Sequence, residues 1–136
     1  MLASAAKLFV GRFTSRTPRR YNSPLARSHA PVVACIDLLP DTGFDVLNWG
    51  KQTDVAWAAQ RLGGRMCLMG NVSPLELSVQ GTPEQVYAAS LEVLQQAGDH
   101  PLILSLGGAV TIGMPPANVH AMIQAAADFN RTKAAG

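Results

Sequence analysis

Three short apolar runs, each followed by a segment with helix-start signals, constrain this chain more than any other feature. They are FDVLNW at 44–49, RMCLM at 65–69 and PLILSL at 101–106. Nearly continuous apolar runs of this length are typical of parallel strands buried on both faces. A helix expected over about residues 31–40 precedes the first run. The sequence therefore predicts an α/β fold in which one helix is followed by three consecutive βα units.

Capping residues in the sequence indicate where the helices after the three runs begin and end. Thr53 is the expected N-cap of the first helix, and Gly63 follows its last turn. Thr82 and Gln85 form a capping box at the start of the second helix, and the third begins after the proline pair at 115–116. The expected buried faces are Val55, Ala58, Ala59 and Leu62; then Val86, Ala89, Ser90, Val93, Leu94 and Ala97; then Val119, Met122, Ile123 and Ala126.

The first 29 residues differ in charge from the rest of the chain. They contain six basic side chains and no acidic one, whereas the remainder contains five basic and nine acidic side chains. We therefore expect 1–29 to be a basic, disordered leader and 30–136 to form the folded domain. At this length and with 48% hydrophobic residues, one core is possible and two are not.

Three interpretations of the leader remain open. Its Arg-rich, Ser/Thr-rich and acid-free composition is typical of an organellar transit peptide. A basic arm for nucleic acid has only Phe9, Phe13 and Tyr21 to stack on bases, and no nucleic-acid-binding motif follows it. The third possibility is an extension without a function. We expect no nucleic-acid partner and a cytoplasmic protein, with an organellar location as the alternative.

The cysteines and the apolar runs exclude several classes of protein. Cys35 and Cys67 lie in apolar surroundings and form no CxxC pair, which argues against a disulfide scaffold and a zinc ribbon. No apolar run approaches the roughly 18 residues that span a bilayer, so we expect no membrane association. The three histidines are scattered, and a metal site needs three or four convergent ligands. We therefore expect no metal and no cofactor, and the sequence identifies no catalytic residue.

The candidate substrate-binding residues follow the three predicted strands. In folds built from βα units, ligands bind at the carboxyl ends of the parallel strands. The residues at these positions are Asn48, Trp49 and Lys51 after the first strand, Gly70 and Asn71 after the second, and Ser105, Gly107 and Gly108 after the third.

Several of these residues also have a simpler interpretation. Lys51 can hold a substrate carboxylate or be a solvated loop residue, and Asn71 can bind a ligand or cap the turn before Pro74. Gly107 and Gly108 can admit a ligand close to the backbone or only permit a tight turn. The residues alone do not decide between these interpretations.

The order of the motifs resembles the C-terminal part of the uroporphyrinogen decarboxylase superfamily. The resemblance rests on DTGFDVLNW, on LMGNVSPLELSVQGTPEQVYAASLEVL and on LILSLGGAVTIGMPPANVHAMIQAAADF, over about residues 31–130. That superfamily has a (β/α)8 barrel fold, so the resemblance implies the last three βα units of an incomplete TIM barrel. Such an arc leaves two unpaired sheet edges, and we expect a homo-oligomer or a need for the missing half of the barrel.

The resemblance implies a carboxy-lyase of the porphyrin-biosynthesis type acting on a tetrapyrrole or another polycarboxylate, inactive as this chain alone. The family's decarboxylases resemble one another in a histidine at a position that aligns with Gly108 here. The related corrinoid methyltransferases have a zinc-ligating cysteine at that position. Their other zinc ligands are a His-x-Cys pair on an earlier strand, and Cys35 does not fit that pair. The alternatives are a relative of these methyltransferases and a non-catalytic binding or assembly protein.

Overall fold

The computed structural model describes residues 8–10, 25–27, 32–50, 54–73, 78–106 and 112–135, and it contains one five-stranded sheet with helices. The strands are β1 (Leu8–Val10), β2 (Leu25–Arg27), β3 (Val46–Gly50), β4 (Cys67–Val72) and β5 (Leu102–Leu106). The helices are a 3-10 helix (Val32–Thr42), α1 (Val55–Leu62), α2 (Pro83–Ala97) and α3 (Pro116–Ala135). The three predicted βα units are therefore confirmed as β3–α1, β4–α2 and β5–α3.

The sheet has the strand order β1-β5-β4-β3-β2. Strands β3, β4 and β5 are parallel neighbours, as part of a TIM barrel requires. The edges differ from the expectation, because β2 pairs in parallel with β3 and β1 pairs antiparallel with β5. Six residues of the predicted leader thus form strands, and the prediction that β3 and β5 have unpaired edges is wrong. The added strands satisfy backbone groups that an edge strand would leave open.

The core lies between the sheet and the helices. Leu47, Leu68 and Leu102 occupy the same register in β3, β4 and β5, and each is at most 1% exposed. Alternate strand residues join the same cluster as apolar residues of α1, α2 and α3, so the three helices cover one face of the sheet. Burial of each leucine contributes about 1.5–3 kcal/mol. The opposite face carries the remaining strand residues.

Helices α1 and α2 begin and end as local sequence rules predict, with one correction. In α2 the capping box of Thr82 and Gln85 is present in both directions. In α1 the N-cap is Asp54, whose carboxylate accepts the backbone N–H of Trp57 at 2.7 Å. The predicted N-cap, Thr53, lies outside the described residues. Aspartate serves as well as threonine at an N-cap, so the helix begins one residue later than predicted.

Two other predictions need correction. The helix expected over 31–40 is a 3-10 helix that extends to Thr42 and contains Pro40. Proline has no N–H and clashes with the carbonyl four residues earlier, which disfavours α-helical geometry there. In α3 the buried residues are Asn118, Met122, Ala125 and Ala126, whereas Val119 and Ile123 are half-buried. The buried stripe is therefore rotated toward Asn118, because its amide is hydrogen-bonded inside the protein.

Candidate functional site

The carboxyl ends of β4 and β5 bring two of the predicted site residues together. Asn71 and Ser105 are register partners on these neighbouring parallel strands, and both side chains are half-buried. Adjacent strands lie about 4.8 Å apart, so the two polar side chains are neighbours. Ser105 also donates its hydroxyl to the carbonyl of Leu106 at 3.1 Å.

Asn48 lies on the same face of the sheet as this pair. It is the register partner of Met69 on β4, two residues before Asn71. Leu47, Leu68 and Val72 belong to the core cluster beneath the helices, whereas Asn48, Met69 and Asn71 do not, so these three side chains are assigned to the face away from the helices. A row of amide and hydroxyl groups therefore runs diagonally across three strands. The two amides can donate hydrogen bonds to a carboxylate, whereas the Ser105 hydroxyl can do so only by giving up its bond to Leu106.

The structure places the other predicted residues differently. Trp49 is 3% exposed and belongs to the core cluster, where its ring centroid lies 6.1 Å from that of Trp57. Its indole Nε1 is buried without a partner among the described residues. Gly70, expected after the strand, lies within β4 opposite Leu104. A contact of Trp49 or Gly70 with substrate stays a prediction, and Lys51, Gly107 and Gly108 lie outside the described residues.

Cys67 lies on the face of β4 that also carries Met69 and Asn71, and it is 1% exposed. Burial raises the pKa of its thiol to about 11, and a hydrogen bond with the backbone of Ile103 offsets this only in part. The thiol therefore stays protonated near neutral pH, where a nucleophile or a metal ligand would have to be a thiolate. Among the described residues, no group of three His, Cys, Asp or Glu side chains could hold a metal ion.

His100 lies at the opposite end of the strands, just before β5. Burial lowers the pKa of its imidazole, and a hydrogen bond to the backbone of Met66 partly opposes that effect. Its Nε2 is buried and has no partner in the described part of the chain. His100 is thus remote from the strand ends that carry Asn71, so it cannot serve as a proton donor there.

A shallow groove lies between the first turns of α2 and α3. Its lining includes Pro83, Tyr87, His120 and Gln124, and no strand residue contributes. The groove belongs to the helix layer and is separate from the polar row on the sheet. One hydrogen bond beside it joins the helices, from the Tyr87 hydroxyl to the Asp128 carboxylate at 2.9 Å.

Sequence reasoning missed one polar residue near the strand ends, Asn118. Its amide nitrogen donates to the carbonyls of Ser78 and Gly81, at 3.0 and 2.9 Å, in the segment between β4 and α2. The available signal was its spacing, because Asn118 stands four, seven and eight residues before the buried Met122, Ala125 and Ala126. That spacing places it on the buried face of α3.

No helix among the described residues is long and apolar enough to cross a membrane. This finding agrees with the absence of long apolar runs in the sequence.

Comparison with known proteins supports the family and the fold. The uroporphyrinogen decarboxylase family model matches residues 27–129. The uroporphyrinogen decarboxylase of Trichodesmium erythraeum is 33% identical over 95 residues, which is 70% of this chain and 26% of that protein. The Methylococcus capsulatus protein of the same name is 32% identical over 96 residues, 70% of this chain and 27% of its own length. The chain thus spans about a quarter of the length of these curated relatives.

A solved structure shares the fold. It is a methyltransferase from Methanosarcina mazei, with a TM-score of 0.65 and 24% sequence identity, and the match covers 74% of this chain and 29% of that one. At this identity the likeness concerns the fold alone. The family match covers most of the chain, and its βα units are present in the predicted order. The chain therefore belongs to the uroporphyrinogen decarboxylase family.

Proposed function

We propose that this chain forms one wall of the substrate pocket of a carboxy-lyase that acts on a tetrapyrrole polycarboxylate. The observation that carries the proposal is the polar row of Asn48, Asn71 and Ser105, within the residues that match the family model. In barrels of βα units the pocket lies at this end of the strands. The curated relatives, which are named uroporphyrinogen decarboxylases, support the choice of substrate class.

The proposed role of these side chains is to bind and orient the substrate. Amide and hydroxyl groups donate hydrogen bonds to carboxylate oxygens but do not ionise near neutral pH, so they cannot act as the catalytic acid. Decarboxylation leaves carbanion character that must be delocalised and then protonated, which requires cations near the carboxylates and a positioned acid. Lys51 remains a proposed carboxylate contact. In our proposal the acid and the other cations come from parts of the family fold that these 136 residues do not match.

A second part of the proposal concerns association. A sheet of five strands does not close a barrel of eight, so we propose that the polar face is completed by another copy or by the remainder of the fold. The midpoint of a circular dichroism melt should then rise with protein concentration. A midpoint unchanged over a tenfold range of concentration, with a monomer in light scattering, would contradict self-association.

The binding experiment uses uroporphyrin III, the stable oxidised form of the tetrapyrrole, and follows tryptophan fluorescence of the purified chain. We expect saturable quenching for the wild type and weaker binding for Asn71→Ala. The matched control is Asn130→Ala, since Asn130 is exposed on α3. Failure of the wild type to bind, or equal weakening by both substitutions, would contradict the proposed pocket.

A turnover assay tests the role as a wall. The purified chain, supplied with uroporphyrinogen under reducing conditions, should yield no product with fewer carboxylates by chromatography. Measurable decarboxylation by the chain alone would show that it holds a complete catalytic centre, contrary to the proposal.

A further inference from the structure

Asn118 makes an unusual use of its side chain in the first turn of α3. Its residue is 1% exposed, and its amide nitrogen gives hydrogen bonds to two backbone carbonyls of the β4–α2 segment, those of Ser78 and Gly81. Its Oδ1 is buried and has no partner among the described residues. The side chain therefore does not cap its own helix, where an oxygen would accept backbone N–H groups. It joins α3 to another segment.

The segment that Asn118 holds is tied directly to the end of β4. Ser78 donates both its backbone N–H, at 3.1 Å, and its hydroxyl, at 2.9 Å, to the carbonyl of Ser73. Ser73 follows the last residue of β4 and stands two positions after Asn71. A continuous series of hydrogen bonds thus leads from the strand end through Ser78 to Asn118.

The other contact of Asn118 leads to α2. Gly81 directly precedes Thr82, the N-cap of α2, so the second carbonyl held by Asn118 lies at the start of that helix. Asn118 itself lies just after the segment that connects β5 to α3. One buried amide therefore connects the segments that follow β4 and β5, the strands that carry Asn71 and Ser105.

An apolar residue of similar size could fill the same space but could not replace these contacts. It would take this donor away from both carbonyls, and a buried polar group left unsatisfied costs more than the net value of the bond it loses. Aspartate has nearly the same shape as asparagine but presents oxygens where the two carbonyls need N–H groups. The arrangement thus depends on the donor character of the side chain.

We propose that Asn118 is a positioning residue that holds the β4–α2 segment beside the carboxyl ends of β4 and β5 for binding of a tetrapyrrole polycarboxylate. The inference rests on the proposed function for its ligand. Asn118 acts through Ser78 and Ser73, and no contact between Asn118 and the substrate is required.

The test compares Asn118→Asp with the wild type and with Tyr87→Phe. The control also removes a side-chain hydrogen bond, but this bond joins α2 to α3 beside the shallow groove between them. The first readout is the hydrogen-exchange rate of the Ser78 backbone amide by NMR. The second readout is the Kd for uroporphyrin III, measured at a temperature where circular dichroism shows every variant fully folded. Under that condition a variant that only lowers stability leaves the Kd unchanged.

We expect Asn118→Asp to accelerate exchange at Ser78 and to weaken uroporphyrin binding about tenfold, on the order of the loss of one buried hydrogen-bonded contact. Tyr87→Phe should change neither readout. If Asn118→Asp does not fold, Asn118→Ser replaces it, since serine keeps one donor, and we expect both changes in the same direction. Unchanged Ser78 exchange, or faster exchange with an unchanged Kd, would overturn the inference.

Failure of the proposed function gives a different result. If the wild type does not bind uroporphyrin III, the ligand assignment is wrong, and exchange at Ser78 then decides the role of Asn118 by itself. Faster exchange in Asn118→Asp but not in Tyr87→Phe supports the positioning of the segment, and equal rates in all three proteins overturn it.

Discussion

The α2–α3 region and the region of the 3-10 helix and α1 are held together in different ways. Helix α2 packs extensively against α3, and the pair is joined by the Tyr87–Asp128 hydrogen bond. The 3-10 helix buries Ile36, while Val33 and Leu38 remain 45% and 67% exposed. The difference indicates that burial stabilises the first region, whereas the 3-10 helix of the second region depends more on surface contacts.

The largest expected difference between the regions comes from truncating a buried side chain in each. Leu94 of α2 and Ile36 of the 3-10 helix are both 1% exposed. We expect Leu94→Ala to lower the free energy of unfolding by about 2–5 kcal/mol. Ile36→Ala should cost less, because its exposed neighbours can move into the space. Urea denaturation measures both, and an equal or larger loss for Ile36→Ala would contradict the comparison.

A smaller effect is expected from the cap of α2. Thr82→Ala removes the hydroxyl that accepts the Gln85 N–H at 3.3 Å, while the Gln85 side chain can still accept the Thr82 N–H. We expect a loss of about 0.5–2 kcal/mol in the free energy of unfolding. Thr132→Ala is the matched control, since Thr132 lies late in α3 and bonds only within its own helix in the contacts described. Equal losses for the two threonines would mean that the cap has no special role.

The same contrast explains how far the sequence could predict the structure. In α2, the capping box, the proline at the first position and the apolar spacing all favour one helix, and the structure has it. Around Pro40 the apolar pattern favours a helix while the proline opposes α-helical geometry, so periodicity alone gives the wrong helix type. The glycine at position 70 indicates the end of a strand, but its pairing with Leu104 of β5 keeps it inside β4.

The candidate site was predictable to the same degree. The rule that ligands bind at strand ends identified Asn71 and Ser105, and their pairing as neighbours required only parallel strands in register. It could not distinguish Trp49, whose position in the core follows from which face of β3 it occupies. It also could not find Asn118, because the partners of its amide are backbone carbonyls 37 and 40 residues away.

A pH experiment examines His100, which lies just before β5 and is hydrogen-bonded to the backbone of Met66, just before β4. Because burial lowers the pKa of His100 below its ordinary value, the unfolded chain binds this proton first as the pH falls. The contribution of the neutral His100 imidazole to stability is then fully present above about pH 6.5, and it is lost as the pH drops toward the pKa of His100 in the folded protein. The lowered pKa values of Asp99 and Asp128 act only at more acidic pH.

His100→Asn keeps a donor of similar reach but does not titrate. We expect the wild type to lose stability as the pH falls below about 6.5 and the variant to lose less over the same interval. Urea denaturation at each pH gives the two slopes. Identical slopes would show that the buried imidazole does not govern stability in this range.

The smallest expected effect separates the surface contacts of the two regions. Asp37 of the 3-10 helix pairs with Arg61 of α1 at 2.8 Å, and both side chains are at least half exposed. We expect Asp37→Asn to change the free energy of unfolding by only about 0–1 kcal/mol, and less at high salt.

Lys133 of α3 is different, because its ammonium donates to the carbonyl of Gly98, at 2.6 Å, as well as to Asp99. Lys133→Met should therefore cost more than Asp37→Asn, since it also removes a donor from the carbonyl that follows α2. Urea denaturation at low and high salt measures both, and a Lys133→Met loss that salt abolishes would show that the surface ion pair alone joins α3 to the end of α2.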